Sequence, residues 1–209
     1  MILSALLIFM YNQMEDRRAG EASAEAMREL QAILLQRSET DSSVEPSVEN
    51  SPMEPIGTAE TTEPETVLEE VPVETERRKM TVEDIAGYGY IGILSLPSLG
   101  LDLPVMDECT ESNLKKAPCR YHGSIEEENL VIAGHNYKQH FGYLQNMQKG
   151  DTVTFTDMDG NTHTYEVDAL ETLPETAVEE MNNSPWELSL YTCTFSGTER
   201  ITVRCSLVE

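Results

Sequence analysis

The chain has 209 residues, 39% hydrophobic and 6% aromatic, and 38 acidic against 14 basic residues set its net charge at -24. At about 150 residues per compact unit, this length allows one ordinary domain plus an additional segment and excludes a large multidomain enzyme. So negative a chain repels phosphate backbones, which removes the electrostatic attraction behind most nucleic-acid affinity, and a nucleic-acid partner is set aside. The four cysteines, Cys109, Cys119, Cys193 and Cys205, are too few for a disulfide-built miniature. They form no CxxC and no Cys/His pair at zinc spacing, so neither a metal nor a cofactor is expected.

Taken from the start, residues 1–13 contain the apolar run Ile2 to Tyr11, ten residues long. That is about half of what a helix needs to cross a hydrocarbon layer of roughly 30 Å. The run lacks the flanks of a secretory signal and is read as the outer end of a membrane anchor whose first half is missing, the competing reading being a greasy N-terminus. Over residues 14–38, Ala19, Ala22, Ala26, Met27, Leu30, Ile33 and Leu34 recur near helical intervals, predicting an amphipathic stem helix. From Glu39 to Glu76 there are twelve acidic residues, no basic or aromatic ones, and five of the ten prolines. Residues 39–79 are therefore expected to be a disordered linker, because they cannot bury enough apolar area to offset the entropy of ordering. The order of anchor, stem and tether suggests a domain, residues 80–209, held off a surface.

That domain reads as mainly β. Tyr90 to Leu96 and Leu99 to Val105 flank a Pro-Ser step, and Asn129 to Ala133 is a short buried-strand candidate. Thr152 to Asp157 and Thr162 to Leu173 are separated by Met158-Asp159-Gly160-Asn161, a turn-forming stretch. Trp186 to Cys193 and Arg200 to Leu207 complete the set, with short helices near Asn113, at Phe141 to Met147 and at Ala177 to Met181. Many short, regularly spaced strands with few helices predict a closed or nearly closed β-barrel.

Side-chain parity then separates the cysteines. Alternation puts Trp186, Leu188 and Leu190 on the core side of their strand and Cys193 on the other face. On the next strand Cys205 points inward and reads as packing, whereas Arg200, Thr202, Arg204 and Ser206 point outward. If residues 194–199 are a hairpin loop, Cys193 and Arg200 face each other, with Cβ atoms about 5 Å apart. His135 follows the buried strand candidate directly, in Ala133-Gly134-His135-Asn136, where a loop histidine can face a groove.

These segments, together with Leu190-Tyr191-Thr192-Cys193-Thr194 and Arg200-Ile201-Thr202-Val203, resemble the His, Thr-Cys and Arg signatures of sortases. The Phe141, Leu144, Lys149-Gly150-Asp151, Val153 and Phe155 pattern is also similar, and the resemblance covers roughly Tyr88 to Leu207. It implies a closed eight-stranded sortase-type β-barrel with short helices, preceded here by the N-terminal helix and the disordered acidic linker. It also implies a Gram-positive cell membrane location with the catalytic domain on the extracellular face. By the same resemblance, Cys193 attacks the carbonyl of an LPXTG-like sorting signal, protonated His135 donates to the departing amine, and Arg200 holds the developing oxyanion. An ordinary thiol is only about 3% ionised at pH 7, so Cys193 needs such cationic neighbours. The thioacyl intermediate would pass to an amine of a cell-wall precursor or a pilin lysine. Thr192 is expected to line the substrate groove. The short connection from Leu173 to Trp186 leaves little room for the long helix of class B members, and the subclass stays undecided. Another cell-wall cysteine peptidase or transpeptidase, and a non-catalytic surface β-domain, are the alternatives. Leu173-Pro174-Glu175-Thr176-Ala177 itself looks like a sorting signal but is read as coincidence. Cys109 and Cys119 are left open as a pair.

Overall fold

The computed structural model of the protein describes residues 2–41 and 80–208. The remainder of the expected acidic linker lies outside the described residues.

The β region forms one sheet of nine strands: β1 (Glu83–Ile85), β2 (Tyr88–Leu96), β3 (Leu101–Met106), β4 (Cys119–His122), β5 (Leu130–Ala133), β6 (Thr152–Asp157), β7 (Thr162–Pro174), β8 (Leu188–Cys193) and β9 (Glu199–Leu207). Their order is β1-β2-β3-β4-β5-β8-β9-β7-β6, and β2 also pairs with β6, so eight strands close into a barrel while β1 attaches to the start of β2. The predicted closed barrel is therefore observed. Closure needs Gly92: a Cβ there would lie 2.3 Å from the Thr156 carbonyl oxygen. Most pairs are antiparallel, whereas β3–β4 and β5–β8 are parallel.

Inward-facing residues make the core predicted from alternation. Leu94, Leu130, Ile132, Phe155, Leu188, Leu190 and Val203 pack together with Cys205. Burial, and then the Asp168 carboxylate, pushes the Cys205 thiol up to about 12, as suits a packing residue. The helices are short: α2 (Glu111–Leu114) and α3 (Val178–Asn182). The helix expected at Phe141 to Met147 reduces to turns and one 3₁₀ turn, Leu144–Asn146.

At Arg204 the outward parity read from the sequence does not bring exposure. It points away from the barrel interior yet is 2% exposed, because α3 lies over it. Its guanidinium donates to Ser189 Oγ at 2.8 Å, the Glu180 carbonyl at 2.8 Å, Ser184 Oγ at 3.3 Å and Glu171 Oε2 at 3.2 Å. Removing it strands several acceptors at once.

The N-terminal segment is one continuous helix, α1 (Ile2–Asp41), with no break at the boundary expected after residue 13. Among the described residues no helix is long and apolar enough to cross a membrane. The predicted apolar stripe is real: Ala19, Ala26, Met27 and Leu30 are buried, with Ser23 on the same face. It does not stand clear of the domain. Ala26 and Leu30 pack with Ile85, Tyr90, Met106, Ala117, Cys119 and Met158 in a second apolar layer outside the barrel. Arg37 closes the far end against the Met158 carbonyl and Glu83.

Two outcomes follow. Leu30→Ala should lower unfolding free energy in urea by about 2–5 kcal/mol, the cost of a buried leucine truncation. Arg204→Ala should cost about 2–4 kcal/mol and speed amide exchange in α3 selectively; uniform exchange across the barrel would contradict its role in holding α3 down.

Candidate active site

The site begins with the parallel ladder of β5 and β8. The four residues of β5, Leu-Val-Ile-Ala, are all buried, which places the strand between covered faces. Ala133 lies opposite Tyr191, and the Gly134 N–H donates to the Tyr191 carbonyl at 3.0 Å, carrying the ladder one residue further. His135 and Cys193 each stand two residues beyond that Ala133–Tyr191 pair, on chains about 4.8 Å apart. On the other side, Cys193 and Arg200 are the last paired residues of β8 and β9. Cys193 on β8, Arg200 on β9 and His135, two residues past the end of β5, therefore stand at one end of three neighbouring strands, all half-buried.

Local structure sets each side chain. Gly134 lets the histidine loop fold back, since a Cβ there would come within 2.5 Å of the Phe141 ring. The Phe141 N–H then donates to the His135 carbonyl at 3.2 Å. Between β8 and β9 the hairpin turns at Gly197, whose φ is +76°. Arg200 Nη1 donates to the Gly197 carbonyl at 2.9 Å and to the Glu199 carbonyl at 3.2 Å, tying the guanidinium to this turn. Phe195, at the turn's tip, is 96% exposed.

Thr192 is the correction at the site. It was expected in the groove, but the alternation that turns Cys193 outward turns Thr192 inward, where it is 1% exposed and its hydroxyl has no hydrogen-bond partner. Residues the sequence did not point to surround the trio instead. Tyr191, on the same face as Cys193, stacks edge-on against Tyr121 with ring centres 5.3 Å apart. Burial holds its phenol protonated far above the usual range, aided by Cys109 and Tyr121 and opposed by Arg200. The His135 ring lies 4.8 Å from that of Tyr137, which lies 5.6 Å from that of His140. Burial lowers the His135 pKa, as does Lys115, while Glu111 acts in the opposite direction. His140 is sealed beneath α1 and its pKa is pushed down to about 4, by burial first and then by His135, against backbone groups of Lys116 and Ala19 and the Asp16 carboxylate. Only its Gly-His-Asn neighbourhood marked His135 in the sequence; nothing local marked His140.

A sequence model described as the Sortase domain matches residues 94–208, more than half of the chain and inclusive of all three residues. The chain belongs to the sortase family. It is 31% identical over 103 residues to Sortase A of Bacillus anthracis, a match covering 47% of this chain and 45% of that relative. The chain thus spans less than half the length of the curated relative it matches. Among solved structures, this sortase is similar to a Sortase D5 transpeptidase of Clostridium perfringens, at 20% identity and TM-score 0.52 over 57% of this chain and 79% of that one. A lid mutant of sortase A from Corynebacterium diphtheriae gives 23% identity and TM-score 0.51 over 58% and 72% of the two chains. Sortase C1 from Streptococcus suis gives 26% identity and TM-score 0.50 over 57% and 73%. The family comprises cysteine transpeptidases associated with the Gram-positive cell wall.

In this sortase a cleft of about 690 Å³ runs between α1 at Asn12, Asp16 and Arg17 and the loops at Asn136, Thr194 and Phe195; Asn136 and Thr194, the chain neighbours of His135 and Cys193, line it, but His135, Cys193 and Arg200 do not. Asp16 fixes one wall by accepting from the Gln139 N–H at 3.3 Å. The internal Leu-Pro-Glu-Thr stretch is built into the barrel. Leu173 and Pro174 pair with Arg200 and Glu199, the Glu175 N–H donates to the Thr198 carbonyl at 3.0 Å, and β9 stands between this stretch and Cys193.

The buried imidazole of His140 has a consequence for stability. Its folded pKa near 4 lies below the ordinary 6.5, so its contribution is whole above pH 6.5 and is withdrawn as pH falls toward 4. At the acid end the loss amounts to about 3 kcal/mol at most. Urea melts across that window should show wild type losing stability faster than His140→Gln; parallel curves would remove this assignment.

Proposed function

We propose that this sortase cleaves LPXTG-like sorting signals through a thioacyl intermediate on Cys193 and transfers the acyl group to an amine of a cell-wall precursor or a pilin lysine. The observation that carries the reading is the delivery of His135, Cys193 and Arg200 to one barrel end by three adjacent strands.

The chemistry is divided among them. The Cys193 thiolate attacks the peptide carbonyl, forming a C–S bond and moving charge onto the carbonyl oxygen. Arg200 receives that oxygen through guanidinium donors other than the Nη1 already spent on its turn, and its charge survives any working pH. His135, as imidazolium, gives its proton to the departing amine, and the C–N bond breaks. An acceptor amine then attacks the thioester, losing its proton to the neutral imidazole and releasing Cys193. Burial makes the His135 imidazolium scarcer at neutral pH and a stronger acid when formed, which suits proton donation to an amine.

The apolar run Ile2 to Tyr11 supports a membrane tether, and membership of a cell-wall family supports the barrel on the extracellular face. There the sorting-signal proteins and the amine acceptor both reside.

A library of LPXTG-like peptides, incubated with and without an amine acceptor, tests the reading. Wild type should cleave at least one peptide and form an amide when the amine is present. Cys193→Ala should form no thioester and no product, and Arg200→Ala should lower kcat/KM by roughly 10²–10³-fold, as removal of an oxyanion donor does. Product formation persisting in Cys193→Ala would eliminate the proposed nucleophile.

A further inference from the structure

Two thiols outside the trio bracket the segment between β3 and β4 and share one apolar layer. β3 and β4 are parallel neighbours joined at Met106 and Cys119, with the Met106 N–H donating to the Pro118 carbonyl at 2.9 Å. The chain between them leaves β3, forms α2 and returns, so Cys109 comes back against the same apolar layer that holds Cys119. Cys109 packs against that layer, and both thiols are unbridged in this structure. Cys119 is fully buried, whereas Cys109 is partly exposed.

The pair is chemically unequal. The Cys119 thiol donates to the Ala117 carbonyl at 3.3 Å. The influence of Cys119 holds the Cys109 thiol below its ordinary value despite burial, and that of Cys109 together with burial holds Cys119 above it. A solvent-reachable thiol with the greater thiolate character, backed by a second thiol in the same layer, is the arrangement of an attacking and a resolving cysteine.

The segment they bracket is not remote from the site. It carries Glu111 and Lys115, whose charges act on His135, and the Lys116 backbone, which acts on His140. Cys109 also bears on Tyr191.

We propose that Cys109 and Cys119 form a redox pair whose disulfide locks residues 109–119 against β4 and so fixes the charged wall beside His135. The oxidant is a small-molecule or protein disulfide. The Cys109 thiolate attacks one of its sulfurs, releasing one thiolate and forming a mixed disulfide. Cys119 then loses its proton and attacks the Cys109 sulfur, expelling the second thiolate. Two protein thiols are oxidised, one disulfide is reduced to two thiols, and no electron is left over. This chemistry does not depend on the peptide transfer proposed above; only its oxidising setting rests on the extracellular placement.

The full chain carrying Cys193→Ala, which removes the other partly exposed thiol, is incubated with oxidised glutathione and digested with trypsin. Lys115 and Lys116 lie between the two cysteines, so their peptides separate unless bridged. The expected product is one species containing both peptides and lighter than their sum by two hydrogens, reversed by dithiothreitol. Its melting temperature should exceed that of the reduced protein by roughly 5 °C, and amides in 110–117 should exchange more slowly. Adding Cys119→Ser should halt the reaction at a single glutathione on Cys109. A stable glutathione adduct on Cys109 with Cys119 still free, or both cysteines alkylatable after exposure to the oxidant, would overturn the proposal. Because no peptide cleavage is read, failure here leaves the assignment of Cys193 untouched, and failure there leaves this one.

Discussion

The parallel pairing of β5 with β8 is the constraint on which the site depends. Parallel neighbours hold a uniform register, so residues at equal distance past a paired position remain level with one another. The Ala133–Tyr191 pair therefore decides that His135 and Cys193 emerge together, and the antiparallel return through β9 adds Arg200 on the other side. A slip of one residue in either ladder would turn Cys193 into the core or move His135 off its level.

Outside the barrel, outward parity does not mean solvent. α3 roofs Arg204, whose donors are met by Glu180 of α3, Ser184 just after it, Ser189 of β8 and Glu171 of β7. α1 covers another sector, burying its stripe against Met106, Cys119 and neighbours and sealing the ring of His140. These coverings place titratable groups in low dielectric close to the trio, and they account for the lowered basicity of both histidines. The barrel end that carries the trio is thus shaped as much by what lies over the barrel as by the barrel itself.

Legibility in the sequence followed the length of each signal. Thr152 to Asp157 and Thr162 to Pro174 were readable because a turn-forming stretch separates two runs of period two, and the observed ends agree to within a residue. β1, three residues, and β4, four residues with a single apolar position of strand type, are too short to display a period. The amphipathic stripe of α1 was visible at Ala19, Ala26, Met27 and Leu30, but not the surface that receives it, which is assembled from β2, β3 and the segments around Ala117 and Met158. Thr192 was misplaced although the needed information was present: its parity is that of Leu190.

From the sequence alone came the three candidate residues His135, Cys193 and Arg200, the outward parity of Cys193 and the inward parity of Cys205. Those are local properties, since a strand alternates its faces whatever it pairs with. Only the tertiary structure decided that β5 lies beside β8, that α1 lies down on the barrel and that Cys109 and Cys119 share one apolar layer. Each of those contacts joins segments distant along the chain, and which of them meet is settled by the joint burial of many apolar side chains, a quantity that no single stretch of sequence contains.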